Sequence, residues 1–216
     1  MPQCFQWLPV FGFGFRDFMR AFGTFLLIVV CALVLGAGSA LYYAERAGAI
    51  ADIEAGPWQA NSLAGSADAD IYERAVIARV AMLALTREEA TYYIASEDSA
   101  GRPLVSDCRY SVSGDDMPAR WWSITIYGED LFLIPHDAPV YSYTKTDMLA
   151  DGGAPFAFQL ARDGSVIHET ANRVLVNGTS PGTGFSMLMR LYQPQEDALA
   201  APSDIPAPQI TRLGCD

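Results

Sequence analysis

The spacing of apolar and polar positions changes character twice along this chain. From Ala21 to Ala44 it has no period at all: 24 residues pass without a charged side chain. At 1.5 Å per residue such a run makes a helix of about 36 Å, enough to cross a hydrocarbon core of about 30 Å with some tilt. Helical spacing follows. Ile71, Ala75, Ala78, Met82 and Leu85 recur at intervals of four and three, and Asp68 and Asp70 suit the N-terminus of that helix. Thr86-Arg87-Glu88-Glu89 reads as a capping box opening a second helix that runs to about Ser96. Beyond Pro103 the period becomes two. Cys108, Tyr110 and Val112 alternate with polar residues, as do Trp122, Ile124 and Ile126, then Phe156, Phe158 and Leu160, then Phe185, Met187, Met189 and Leu191.

Turn signals divide these runs at Ser113–Asp116, Gly128–Asp130, Asp151–Gly153, Arg162–Gly164 and Asn177–Gly182. Seven or eight short strands so spaced predict a mainly β (α+β) fold. The expected form is an antiparallel β-sandwich or jelly-roll-like domain with two N-terminal helices, preceded by one transmembrane helix. The expected division is a cytoplasmic tail over 1–20, a transmembrane anchor over 21–44, an Ala- and Gly-rich linker over 45–66 and a β-sandwich domain over 67–216. The Pro-rich tail (Pro202, Pro206, Pro208) reads as extended chain laid on the surface.

Charge orients the anchor. Arg16 and Arg20 flank the run on its N-terminal side, so the N-terminus is expected in the cytoplasm. In a bacterium the domain then lies in the periplasm, held at the inner membrane. A cleaved secretory signal is the alternative, with Phe22–Leu35 as its core and Gly36–Ala40 as its small-residue site. Met19-Arg20 directly before the run also reads as a start. The chain carries 14 Lys and Arg against 25 Asp and Glu. Leaving out Arg16, Arg20 and Asp17, the part after the run stands near −12, with Lys145 its one lysine. Such a surface repels nucleic acid and anionic lipid headgroups. Of four cysteines, Cys4 falls in the tail and Cys31 in the apolar run. Cys108 and Cys215 share the exported part, where a disulfide between them is expected and two free thiols are the alternative.

Catalytic signatures are absent from the motif pattern. Gly184-Phe185-Ser186-Met187 breaks off where a nucleophile elbow requires glycine, and there is no His-Glu-x-x-His or Cys-x-x-Cys. His136 and His168 stand alone, and no metal or other cofactor is implied. The chemistry on offer is aromatic and guanidinium. By alternation Trp121 and Tyr127 share one strand face, and Arg190 and Tyr192 share another. If the strands are neighbours, Arg120, Trp121, Tyr127, Tyr141, Arg190 and Tyr192 line one concave sheet. Aromatic platforms beside forked donors suit a sugar or a carboxylate. The competing reading covers that face with the two helices and pairs Arg190 with Glu73 or Glu89.

The run Pro118-Ala119-Arg120-Trp121-Trp122-Ser123-Ile124-Thr125-Ile126-Tyr127, with Arg190-Leu191-Tyr192-Gln193-Pro194, resembles the family catalogued as domain of unknown function 1214. The resemblance spans roughly Tyr72 to Cys215 and takes in Tyr72–Ala75, Glu89–Tyr93, Asp98–Leu104 and Cys108–Tyr110. It implies a β-sandwich with helices at its N-terminal end, in short members carried behind one membrane span. It implies no reaction. The Asn-Trp-Leu-Pro-like stretch usual in that family is here Asn172-Arg173-Val174-Leu175, without the tryptophan or the proline. The expected function is a membrane-anchored, non-catalytic binding or assembly module of the cell envelope, with a protein partner. The alternative is a glycan- or lipid-binding sandwich, in its furthest form a hydrolase.

Overall fold

The computed structural model describes residues 15–45, 51–79, 85–137, 140–162 and 173–215. It divides into two compact units, Met1–Glu45 and Arg46–Asp216. The first contains a single described helix, α1 (Phe15–Glu45). Within it, Arg16–Tyr42 is long and apolar enough to cross a membrane, and none of it is buried by protein.

The second unit is a two-sheet sandwich. The strands, in chain order, are β1 (Ile53–Ala55), β2 (Trp58–Ala60), β3 (Ala90–Ala95), β4 (Cys108–Gly114), β5 (Ala119–Gly128), β6 (Ser142–Thr144), β7 (Phe156–Ala161), β8 (Val174–Val176), β9 (Phe185–Pro194) and β10 (Gln209–Cys215). Helices α2 (Ile71–Arg79), α3 (Lys145–Ala150) and α4 (Glu196–Ala200) punctuate them. The larger sheet has the order β1-β2-β3-β9-β5-β6 and the smaller β10-β4-β7-β8. The predicted mainly β sandwich is the fold, and the apolar positions of each alternating run form its core. Trp122, Ile124, Ile126, Met187, Met189 and Leu191 face Tyr110, Val112, Phe158 and Leu160 across one buried cluster. Aromatic rings dominate its centre, with Tyr143 and Phe158 stacked at 4.7 Å and Trp122 against Phe156 at 5.0 Å. Burial, then the neighbouring Asp151, pushes the Tyr143 hydroxyl up to about 12.

Four local expectations are corrected. Thr86 begins a turn and no second helix: Glu89 and Ala90 N–H bond back to the Thr86 carbonyl, and β3 follows at once. Thr91, Tyr92, Tyr93 and Ile94 are β-branched or aromatic, and pairing with β9 from Ala90↔Tyr192 to Ala95↔Met187 outweighs one capping signal. Residues 53–60, read as linker, form a hairpin whose alternation buries Ile53, Ala55, Trp58 and Ala60. Trp58 is fully buried and donates to the Pro208 carbonyl at 2.7 Å, which also fastens the Pro-rich tail. The apolar stripe proposed for the first helix is not a buried face among the described residues, since Ile71, Ala75 and Ala78 are exposed. Two of these are alanines, whose burial contributes little. Finally, the smaller sheet is mixed, because β7 and β8 run parallel, Gln159↔Val174 to Ala161↔Val176.

Two devices anchor the C-terminus. Cys108 and Cys215 are register partners on β4 and β10 and are joined by a disulfide. In the loop after β3, Asp98 is buried and accepts from the backbone N–H of Ala100 and Arg102, with Arg102 and Arg212 of β10 as ion-pair partners. Burial alone pushes Asp98 up, but the hydrogen bonds and the Arg102 charge outweigh it and hold the carboxyl below its ordinary range. A depressed folded-state pKa gives stability that is present above the unfolded value and lost as pH falls through the folded one.

Two predictions follow from these devices. Replacing Cys215 with Ser releases a loop closed over 107 residues and is expected to cost roughly 3–5 kcal/mol in a urea titration. Asp98→Asn should cost on the order of 3 kcal/mol at neutral pH and remove part of the stability loss below about pH 4, read by thermal denaturation across pH 2–7.

Candidate functional site

The pairing of β5 with β9 sets the site. Trp121 is the register partner of Tyr192, Ser123 of Arg190 and Tyr127 of Ser186. Residues of one parity face the core, so Trp121, Tyr127, Arg190 and Tyr192 share the outer face of the larger sheet. There Trp121 and Tyr192 form a tilted ring pair with centroids 5.3 Å apart. The indole is 37% exposed, yet its Nε1 donates to Thr146 Oγ1 of α3 at 3.0 Å. It is thus held on two sides while one face stays open.

Arg120 stands at the sheet end, exposed, donating to Gln193 Oε1 at 2.9 Å. Gln193 has φ +48, a left-handed conformation that costs a non-glycine residue about 1–2 kcal/mol. Its N–H bonds to the Glu89 carbonyl at 2.9 Å, so Glu89, Gln193 and Arg120 lie in one row across three strands. With Leu85 these residues border a shallow cavity of about 370 Å³ floored by Trp121 and Tyr192. Leu85 is placed by two contacts: its N–H reaches Tyr92 Oη at 3.3 Å, and Gly65 (φ +79) lies against its carbonyl. A Cβ on Gly65 would sit 1.9 Å from that oxygen, so only glycine fits.

Arg190 lies further along the same face, half-buried. It donates to Tyr127 Oη at 2.8 Å and to Thr125 Oγ1 at 3.3 Å, with its guanidinium 5.7 Å from the Tyr127 ring centre. Its partners are therefore neutral side chains, and among the described residues neither Glu73 nor Glu89 pairs with it. Glu73 instead completes a capping box with Asp70 at the start of α2. Tyr141 is separated from the other five. It precedes β6, where Tyr143 pairs with Ile124 and faces the core, and its ring lies tilted against His136 with centroids 4.4 Å apart. His168 lies outside the described residues. The acids of the turn before β5 do not form an open pair, since Asp116 is held by Trp122 Nε1 at 2.8 Å and by Lys145 at 2.8 Å.

Sequence reasoning missed Leu85, Glu89 and Gln193. Glu89 was read as a helix cap, and nothing in the chain signals the left-handed turn of Gln193. At the opposite end of β5, a second cavity of about 250 Å³ lies between segments 128–135 and 177–184. Buried Asn177 borders it, its Nδ2 bonded to the Cys108 carbonyl and its Oδ1 without a partner among the described residues.

Comparison with known proteins agrees with this architecture. The solved structure of the VPA0106 protein from Vibrio parahaemolyticus superposes with a TM-score of 0.53 at 22% identity, over 68% of this chain. This chain spans only 36% of that protein, so the likeness concerns the fold alone. No curated protein matches the sequence. The family model described as protein of unknown function (DUF1214) matches residues 89–196, from the glutamate at the rim of the shelf through β9, and the chain belongs to that family.

Proposed function

We propose that this chain is a membrane-tethered, non-catalytic binding domain of the bacterial cell envelope, with its ligand seat on the Trp121 shelf. Arg16 and Arg20 before the apolar run favour a cytoplasmic N-terminus and a periplasmic domain. The Cys108–Cys215 disulfide accords with an oxidising compartment. The observation that carries the reading is the solvent-facing indole of Trp121, fixed by Thr146 and Tyr192 beside the guanidinium of Arg120. A preset aromatic floor with a forked donor at its rim suits a sugar ring or a lipid headgroup, at little entropic cost on binding.

Trp121→Ala removes a part-exposed ring packed on Tyr192 and bonded to Thr146, so it should lower the melting temperature modestly while the buried core keeps the domain folded. It should weaken the tightest ligand from a glycan and lipid screen by about tenfold or more. Equal affinities for variant and parent would remove the shelf as the seat. Orientation has its own test. Protease added to intact spheroplasts should digest the domain; protection until the membrane is permeabilised would reverse the topology.

A protein-assembly role is favoured by a different observation. The turn after β5 exposes Leu131, Phe132 and Leu133, with Phe132 73% exposed and Leu131 at φ +65. Crosslinking in living cells from position 132 should recover one stoichiometric partner if this tip is an interface.

A further inference from the structure

We infer that the Trp121 shelf takes the headgroup of a zwitterionic membrane phospholipid, its phosphate on Arg120 and its ammonium over the Trp121–Tyr192 floor beside Glu89. This rests on the reading of the shelf as a ligand seat and names its ligand.

The first argument is charge. Glu89 and Arg120 border the same cavity with opposite charges, and both are exposed. They do not pair with each other among the described residues. Gln193 stands between them, bonded through its N–H to the Glu89 carbonyl and through Oε1 to Arg120. Two strand spacings separate the backbones at these positions by about 10 Å, with Gln193 on the strand between them. A neutral sugar needs neither charge, and a simple anion is repelled by Glu89. A ligand with a phosphate at one end and an ammonium at the other uses both, and an ammonium also gains from the faces of two electron-rich rings.

The second argument is the residue set. Tryptophan and tyrosine floor this cavity and an arginine borders it, and these residues favour the interfacial layer of a bilayer.

Native mass spectrometry of the full-length protein in detergent, titrated with phosphatidylethanolamine or phosphatidylglycerol of matched chains, tests this. Lipid held by α1 is the same in parent and variants, so the differences report the shelf. The parent should retain phosphatidylethanolamine preferentially. Arg120→Gln and Glu89→Gln, both at exposed positions, should each lower its affinity about tenfold, and Glu89→Gln, which removes the repulsion of an anion, should raise retention of phosphatidylglycerol. Equal retention of the two lipids, or preference untouched in both charge variants, would overturn the assignment. Trp121→Ala separates the two levels of inference. If it abolishes binding while charge preference is absent, the seat stands and the headgroup is wrong; if it changes nothing, the seat itself falls. Free phosphoethanolamine should compete only at concentrations at least a hundredfold higher, and equal potency would make a soluble molecule the source and overturn the membrane lipid.

Discussion

The antiparallel pairing of β5 with β9 is the constraint on which the rest of the molecule depends. These are the two ten-residue strands, and their register runs from Ala119↔Pro194 to Gly128↔Phe185. Because a strand alternates its side chains, one register assigns both faces at once. On the inner face it brings Trp122, Ile124 and Ile126 together with Met187, Met189 and Leu191 under the aromatic layer of the smaller sheet. On the outer face it brings Trp121 to Tyr192 and Arg190 towards Tyr127. A slip of one residue would put Trp121 in the core and Trp122 in water. The apolar burial of one face therefore enforces the polar and aromatic geometry of the other, and the candidate site is held in place by the core without belonging to it.

That coupling explains which features could be read in the sequence. Period-two alternation is a property of single strands, and every core position it implied in the four main runs is buried. The shared face of Trp121, Tyr127, Arg190 and Tyr192 needed one further assumption, that β5 and β9 are neighbours. Tyr141 failed on the same logic applied carefully: it shares parity with Tyr143, and Tyr143 pairs with Ile124 on the core side. The capping box at Thr86 misled because its two signals are real but local. Thr86 Oγ1 does meet Glu89, yet one turn cannot compete with a six-residue ladder on β9. The hairpin at 53–60 was hidden by its shortness. Three-residue strands carry too little alternation to stand out from an Ala- and Gly-rich stretch, and only the burial of Trp58 betrays them.

The ion-paired cations of this acidic domain differ from Arg74 and Arg87, which donate to backbone carbonyls, and from Arg120 and Arg190. Arg102 and Arg212 converge on Asp98, Arg173 spans Asp147 and Asp151, Lys145 meets Asp116, and Arg162 meets Asp107. These pairs join loops and helix ends to one another, with Arg212 the strand residue among them, and they serve the fold. Asp147 also closes the capping box of α3, so Arg173 ties β8 to the helix that supplies Thr146 to Trp121. Arg120 and Arg190 differ: their described partners are the neutral groups of Gln193, Thr125 and Tyr127. Arg120 borders the shelf cavity at the sheet end, and Arg190 lies on the outer face that carries Tyr192.

In a chain of net charge −11 an exposed cation without a carboxylate partner keeps its capacity for an incoming anion. Arg190 is half-buried and spends its donors on hydroxyl groups, so its charge acts on the outer face mainly as a fixed field. Arg120 is at the rim and has donors to spare beyond the one given to Gln193. The left-handed Gln193 that holds it is a strained residue where strain is not needed to end a strand, since Pro194 already removes the next N–H. Register sets Gln193 between Glu89 and Arg120, and its two hydrogen bonds tie the Glu89 backbone to the Arg120 guanidinium, so an acid and a base border one cavity in separate places. A surface built only for solubility has no use for that separation. A seat for a ligand that carries both charges does.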